Sequence, residues 1–162
     1  MNTNMLASTR FNSKTYEENE TYREKREIGC AYGTQNKIKT GVPLNTLLFI
    51  VEMNNEKNRI EGIGLIRNMI SPDSHKIYSE NNYNRYTYLG KYRITREQLE
   101  EMDKDLVDIL ELLLFKGYTH IKRHTGITII PEKLLQCDRS RGMDFREKIK
   151  TMFRSSFYKE KV

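Results

Sequence analysis

The first predicted element is a β-hairpin, read from the hydrophobic and polar positions in the middle of the chain. Residues 47–53 form a run of mostly large apolar side chains, which is typical of a buried strand. A polar loop at 54–58 follows, and Arg59–Arg67 returns as a second strand. Gly62 and Gly64 fall on one face of that strand, and glycines there indicate a bulge or a close approach of backbone or ligand.

Residues 85–94 predict another strand, because polar and apolar side chains alternate along it. One face would carry the aromatic and apolar side chains, Tyr86, Tyr88, Tyr92 and Ile94. The opposite face would be exposed and largely basic, with Arg85, Thr87, Lys91 and Arg93. Gly90 interrupts the first face and marks a bulge.

The strongest helix signal follows directly. Thr95 and Gln98 have the spacing of a capping box, and the helix is predicted to run to Lys116, with Gly117 as its C-terminal stop. Apolar side chains recur at helical spacing, namely Leu99, Met102, Leu106, Ile109, Leu110 and Leu113. This pattern predicts an amphipathic helix with one face in the core.

Less regular segments flank these elements. Residues 13–27 are polar and predict a surface helix or arm capped by Ser13, while residues 28–33 predict a short strand or the entry to a loop. Asp144 would cap a last helix. The order of elements predicts an α+β fold with a small, strongly bent sheet or barrel. We expect three parts: a polar N-terminal helix or arm (1–27), an α+β domain (28–136) and a basic C-terminal helix (137–162).

The charge of the chain is divided between one acidic segment and a basic remainder. The 162 residues include 28 Lys and Arg against 22 Asp and Glu, a net charge of +6. Residues 97–111 hold seven acids and one lysine, so the rest of the chain is more basic than the total suggests. A basic surface favours polyanionic partners, nucleic acid first.

Other features of the sequence argue against several classes of protein. No apolar run approaches the roughly 18 residues of a membrane helix, and the N-terminus lacks the apolar segment of a secretory signal. Cys30 and Cys137 are far apart and predict free thiols in a reducing compartment. We therefore expect an intracellular protein, in cytoplasm or nucleus, with no membrane partner.

The sequence contains no familiar catalytic or nucleotide-binding motif. Cys30 has no histidine base near it in sequence, and His120 and His124 have no further ligand nearby, so we expect no metal and no cofactor. Glu52 and Glu61 could face each other across the hairpin as an acid–base pair, which keeps an enzyme open as an alternative.

Tyrosines and basic residues together offer the chemistry of nucleic-acid contact. The tyrosines of residues 85–94 could stack on bases or form the core side of their strand. The loop at 120–126 could contact phosphates through its cations and backbone N–H groups. The side chains predicted to hold the nucleic-acid backbone are Lys37, Lys39, Arg85, Lys91, Arg93, Lys122 and Arg123.

Four short motifs carry a family resemblance over roughly residues 28–100. They are Ile-Gly-Cys-Ala at 28–31 followed by Asn36-Lys37, Phe-Ile-Val at 49–51, Gly-Ile-Gly-Leu at 62–65, and Arg-Tyr-Thr-Tyr at 85–88 leading to Gln98-Leu99. In this layout the chain resembles the YTH and EVE branch of the PUA-like superfamily, whose members are small bent β-barrels flanked by helices. A neighbouring branch, the ASCH-like domains, includes enzymes that act on modified nucleosides.

The resemblance implies a pocket for a flipped or unpaired base, often a modified one. Carried over by position, Cys30, Ala31 and Tyr32 would line this pocket, and Asn36 with Lys37 would lie on the loop over it. The chain has no Trp, and Gly29 stands where a cage tryptophan would be expected, so methyladenine recognition is not supported. Tyr32 and Tyr83 would have to form the cage instead.

We therefore expect a module that binds DNA or RNA and reads a modified or flipped base. A second hypothesis is an assembly protein, for instance a virion component, that forms homodimers by pairing the acidic helix at 97–111 with the basic tail at 139–161. A third is an ASCH-like nucleoside-processing enzyme that uses Glu52 or Cys30.

Overall fold

Seven strands and four helices make up the computed structural model, which describes residues 4–116 and 120–158. The strands are β1 (Met5–Phe11), β2 (Cys30–Thr34), β3 (Leu47–Asn54), β4 (Arg59–Arg67), β5 (Tyr86–Gly90), β6 (Tyr92–Thr95) and β7 (Thr128–Ile129). The helices are α1 (Ser13–Arg26), α2 (Arg96–Phe115), α3 (Glu132–Leu135) and α4 (Phe145–Phe157). The fold is therefore mixed α/β.

The strands form two sheets, one of five strands in the order β6-β4-β3-β1-β7 and one that pairs β2 with β5. The predicted hairpin is confirmed, because β3 and β4 pair antiparallel from Leu47 opposite Arg67 to Asn54 opposite Arg59. Strand β1, which the sequence did not predict, runs parallel to β3 and occupies an interior position in the sheet.

The single strand predicted over residues 85–94 is two strands that pair with different partners. Strand β5 pairs with β2, whereas β6 pairs with β4 in the larger sheet. Gly90 lies at the change of direction, and a Cβ there would collide with the carbonyl oxygen of Leu65. The chain thus bends from one sheet into the other, and no closed barrel forms within the ranges 4–116 and 120–158.

The predicted capping box of α2 is confirmed. The Thr95 hydroxyl accepts from the Gln98 amide at 3.2 Å, and the Thr95 amide donates to the Gln98 side chain at 2.9 Å. The helix is kinked at Asp103, whose backbone is not helical and whose carboxylate accepts from the Leu106 amide at 3.1 Å. The predicted stop at Gly117 lies outside the described residues.

The N-terminal cap of α1 differs from the prediction. Asn12, not Ser13, is the capping residue, because its side-chain oxygen accepts from the Thr15 amide at 2.7 Å. The cap of α4 is confirmed, with the Asp144 carboxylate accepting from the Glu147 amide at 3.2 Å.

Two hydrophobic cores are formed. The larger contains apolar side chains of α2 and α4 together with Phe49, Val51 and Ile63. The smaller contains Tyr22 of α1, side chains of β2, and Ile50 of β3. Neighbouring residues of β3 thus enter different cores, which explains why its sequence is almost continuously apolar. None of the described helices is long and apolar enough to cross a membrane.

Candidate nucleic-acid interface

A cavity of about 340 Å³ opens where β1 ends, α1 begins and β2 ends, against the segment that precedes β7. A volume of this size lies within the usual range for small-molecule sites. Its walls are formed by Thr9, Arg10, Phe11, Asn12, Thr15, Gly33, Thr34, Gln35, Asn55, Tyr78, Tyr83, Lys122, Arg123, His124, Thr125 and Gly126. No carboxylate is among these lining residues, whereas three of them are Arg or Lys, so the cavity is basic.

Arg10, on β1, is one of these cations. Its guanidinium donates to the Ser8 hydroxyl at 2.8 Å and to the Thr128 hydroxyl at 3.2 Å, and it has no carboxylate partner in the described part of the chain. Its Nε atom is buried and has no hydrogen-bond acceptor. Burial lowers the pKa of Arg10 to about 10, so the group remains charged at neutral pH. Arg10 is half-buried, and its guanidinium also donates to the carbonyl oxygens of Gly126 and Ser8 at 2.5 Å and 3.3 Å. A half-buried cation whose partners are uncharged favours an anionic ligand nearby.

Asn55 is a second polar residue of the cavity wall with an unsatisfied atom. Its side-chain nitrogen donates to the Lys122 carbonyl oxygen at 2.7 Å, which anchors the basic segment to the end of β3. Its Oδ1 atom is buried without a donor. Since buried polar groups are nearly always hydrogen-bonded, Asn55 Oδ1 and Arg10 Nε each call for a further partner, either an ordered water or a polar ligand.

Two tyrosines form the aromatic wall of the cavity. The rings of Tyr78 and Tyr83 pack edge to face with centroids 6.3 Å apart. Tyr78 is buried, and its hydroxyl accepts from the Asn19 side chain at 3.0 Å. Tyr83 is 39% exposed, so its ring is accessible for stacking on a base.

The structure places the predicted pocket residues in three different environments. Cys30, Ala31 and Tyr32 are 0%, 0% and 1% exposed and lie in the smaller core, not on the wall of the cavity. Asn36 is exposed, and its carbonyl oxygen accepts from the Thr34 hydroxyl at 2.6 Å. Of the predicted base-pocket residues, Tyr83 lines the cavity.

Cys30 is also unsuited to nucleophilic chemistry in the folded chain. Burial raises the pKa of its thiol to about 12, so the reactive thiolate does not form at neutral pH.

The largest departure from the predicted site concerns Arg93. We expected its side chain on an exposed basic face, but it is 8% exposed and forms an ion pair with Glu52 at 2.6 Å. Arg93 also donates to the Tyr16 hydroxyl at 3.0 Å, and the Tyr32 hydroxyl donates to Glu52 at 2.6 Å. Burial alone would raise the pKa of Glu52, but the charge and hydrogen bonds of Arg93 outweigh it, and the pKa lies below its usual value.

The two glycines of β4 make room for this buried cluster. A Cβ at Gly62 would lie 2.7 Å from the Arg93 guanidinium, and a Cβ at Gly64 would collide with the Tyr32 hydroxyl. The close approach that the sequence predicted is therefore to side chains of the protein itself.

The two acids of the hairpin do not form an acid–base pair. Glu52 is opposite Gly62, and its carboxylate binds Arg93. The Glu61 carboxylate instead accepts from Asn54 and from Arg59, each at 2.8 Å.

The other predicted backbone contacts are spread over the surface. The Lys37 ammonium and the Arg85 guanidinium lie 5.5 Å and 5.6 Å from the centroid of the Tyr86 ring, while Lys39 and Lys91 are exposed. Lys122 and Arg123 both line the cavity.

His124 lines the cavity as well, and His120 is exposed. No cluster of three or more His, Cys, Asp or Glu side chains suited to a metal occurs in the described residues.

Sequence reasoning missed Arg10 and Asn55, because each reaches the cavity only through the pairing of β1 with β3. The one available signal was the arginine within the otherwise uncharged segment Met5–Phe11.

In comparisons with known proteins, neither the protein-family models nor the curated proteins contain a match to this chain.

Proposed function

We propose that the chain is a nucleic-acid-binding module that holds an unpaired nucleotide in the basic cavity. The observation that carries this proposal is the pair of unsatisfied buried atoms, Arg10 Nε and Asn55 Oδ1, in a cavity without carboxylates. The proposal takes the fold as PUA-like. A chain that bends at Gly90 from one sheet into the other, with helices on both faces of the five-stranded sheet, supports that assignment.

Each wall of the cavity suits a different part of a nucleotide. Arg123 and Lys122 lie at its basic side and would contact phosphate oxygens, together with the half-buried Arg10. The exposed ring of Tyr83 would stack on the base. Asn55 Oδ1 would accept a hydrogen bond from an exocyclic amino or ring N–H group.

An unpaired nucleotide fits better than a duplex, because a cavity admits a base only when the base is out of its stack. A modified base is part of the proposal, since the shape of the cavity walls can discriminate between bases. The cage would then be formed by Tyr83 and Tyr78, because Tyr32 belongs to the buried cluster.

The test is fluorescence anisotropy with labelled single-stranded and duplex DNA and RNA across a range of salt. Arg123→Gln should weaken binding to single strands. It should also reduce the salt slope, which is the slope of the logarithm of the binding constant against the logarithm of the salt concentration, by about 0.7. Tyr83→Ala should weaken binding by about 1–3 kcal/mol with the slope unchanged, because stacking is not ionic. Lys25→Gln is the matched control, since Lys25 is exposed near the far end of α1.

Two results would contradict this function. One is equal, weak binding of every polymer by the unaltered protein, and the other is a loss of affinity in Lys25→Gln as large as that in Arg123→Gln. If neither result is obtained, repeating the titration with strands that carry different modified bases would define the preferred ligand.

A further inference from the structure

A second group of aromatic and basic side chains lies at the opposite edge of the five-stranded sheet, where α4 ends beside β6. Tyr92 of β6 packs against Phe157 and Tyr158, with ring centroids 4.9 Å and 5.8 Å apart. Tyr158 is 38% exposed, and Tyr92 is half-buried. An aromatic surface is thus accessible at the C-terminal end of α4, outside the cavity described above.

Basic side chains lead along α4 to this aromatic surface. Arg146, Lys150 and Arg154 are spaced four residues apart, so they follow one flank of the helix with a rise of about 6 Å between neighbours. Arg146 is paired with Glu132. Lys150 and Arg154 have no carboxylate partner in the described ranges, and Arg154 is exposed.

The opposite flank of α4 contacts α2. Lys148 binds the Asp103 carboxylate at 3.1 Å, at the kink of α2. The acidic and basic helices therefore already contact each other within one chain. That contact fixes α4 against the body of the protein, and the half-buried Lys150 and the exposed Arg154 lie on the other flank.

We propose that Lys150, Arg154, Tyr158 and Tyr92 form a second subsite for single-stranded nucleic acid. The aromatic rings would stack on bases, and the two unpaired cations would hold the phosphates between them. Lys91 is exposed next to Tyr92 in the chain and adds a third cation. The inference rests on the proposed function, because it assigns a second contact to the same ligand.

The positions of the two subsites predict a dependence on strand length. Strand β6 and strand β1 are three steps apart in the sheet, which corresponds to about 14 Å. Through the registers of the sheet, Tyr92 is level with Leu6, which lies a further distance of about 13 Å along β1 from Arg10. A strand of about three nucleotides is expected to fill the cavity alone, whereas one of about 15 nucleotides reaches both subsites. Simultaneous engagement of both would raise affinity beyond that of either subsite.

The experiment measures binding of oligonucleotides of about three and about 15 residues to the full chain. The double variant Lys150→Gln/Arg154→Gln should weaken binding of the long strand about fivefold at low salt and reduce its salt slope by about 1.4. Tyr158→Ala should weaken binding of the long strand with the slope unchanged. Both variants should leave the short strand unaffected. Lys25→Gln/Arg26→Gln removes the same charge from α1 and is the control.

The outcomes separate the two proposals. If Arg123→Gln weakens both strands and the α4 variants match the control, the second subsite is refuted and the cavity stands. If the unaltered chain binds neither strand, both proposals fail. If Lys150→Gln/Arg154→Gln instead abolishes a concentration-dependent dimer in sedimentation, the surface serves a second copy of the chain, and the inference is overturned.

Discussion

Removal of the Arg93 side chain tests whether this residue stabilises the fold or contacts nucleic acid. In Arg93→Met the Glu52 carboxylate, 1% exposed, retains one hydrogen bond from Tyr32 and loses its counter-ion. Breaking a buried ion pair by removing one partner costs about 3–5 kcal/mol of unfolding free energy. Since many domains have only 5–15 kcal/mol in total, the loss should be large and readily measured.

The destabilisation by Arg93→Met should depend on pH with a defined sign. In the unaltered chain the pKa of Glu52 lies below its usual value, so the stability it contributes is present above the unfolded-state pKa and is lost as pH falls toward the folded-state pKa. In the variant, burial without the arginine raises the pKa of Glu52. The native variant then takes up a proton as pH falls, and each unit below the raised pKa recovers up to about 1.4 kcal/mol.

The assay is urea unfolding at pH 7 and pH 5, followed by circular dichroism. The difference between the unaltered chain and Arg93→Met should be larger at pH 7 than at pH 5. The double variant Arg93→Met/Glu52→Gln removes the unpaired charge and should lose most of this pH dependence. A destabilisation below about 1 kcal/mol at both pH values would refute the account of the buried pair.

Two further predictions concern the same interior. Gly64→Ala should destabilise the fold by about 1–3 kcal/mol in thermal unfolding, because the added Cβ collides with the Tyr32 hydroxyl. The control Gly41→Ala adds a Cβ that meets no atom within 4 Å and should change stability little, so equal effects of the two variants would contradict the packing of β4. A thiol reagent at neutral pH should modify Cys137 in the folded chain and Cys30 only after denaturation, since burial raises the pKa of Cys30 to about 12. Rapid reaction of both thiols in the folded chain would contradict the placement of Cys30 in the core.

Local sequence signals predicted the elements whose stability is local. The capping box of Thr95 and Gln98 and the hairpin of β3 and β4 are set by residues close together in the chain, and both are confirmed. Strand β1 was missed because its sequence, which includes Ser8, Thr9 and Arg10, lacks a clear alternation. Its strand conformation depends on pairing with β3 and β7, which lie far away in sequence.

Alternation identified the two faces of residues 85–94 but could not tell what would cover each of them. The chain changes sheet at Gly90, so Tyr88 enters the smaller core while Tyr92 contacts α4. Arg93 is buried because Glu52 lies on the facing part of the hairpin and neutralises it. A long-range charge pair of this kind leaves no mark in the periodicity of either strand.

The residues of the candidate site divide in the same way into those that local sequence signals predicted and those that contacts between distant segments bring in. Lys122 and Arg123 were predicted from the basic composition of their loop and Tyr83 from the family resemblance, and all three line the cavity. Arg10 of β1 and Asn55, which directly follows β3, carry the unsatisfied atoms of the functional proposal, and only the parallel pairing of β1 and β3 brings them together.

The most direct test of the central claim is NMR titration of the ¹⁵N-labelled chain with a single-stranded oligonucleotide. The account predicts that the largest shifts occur at the amides of Gly33 and Gly126, the side-chain amide of Asn55 and the Nε–H signal of Arg10, all in residues that line the cavity. Shifts confined to the exposed surface of α2, or scattered evenly over exposed lysines with Arg10 unchanged, would contradict it.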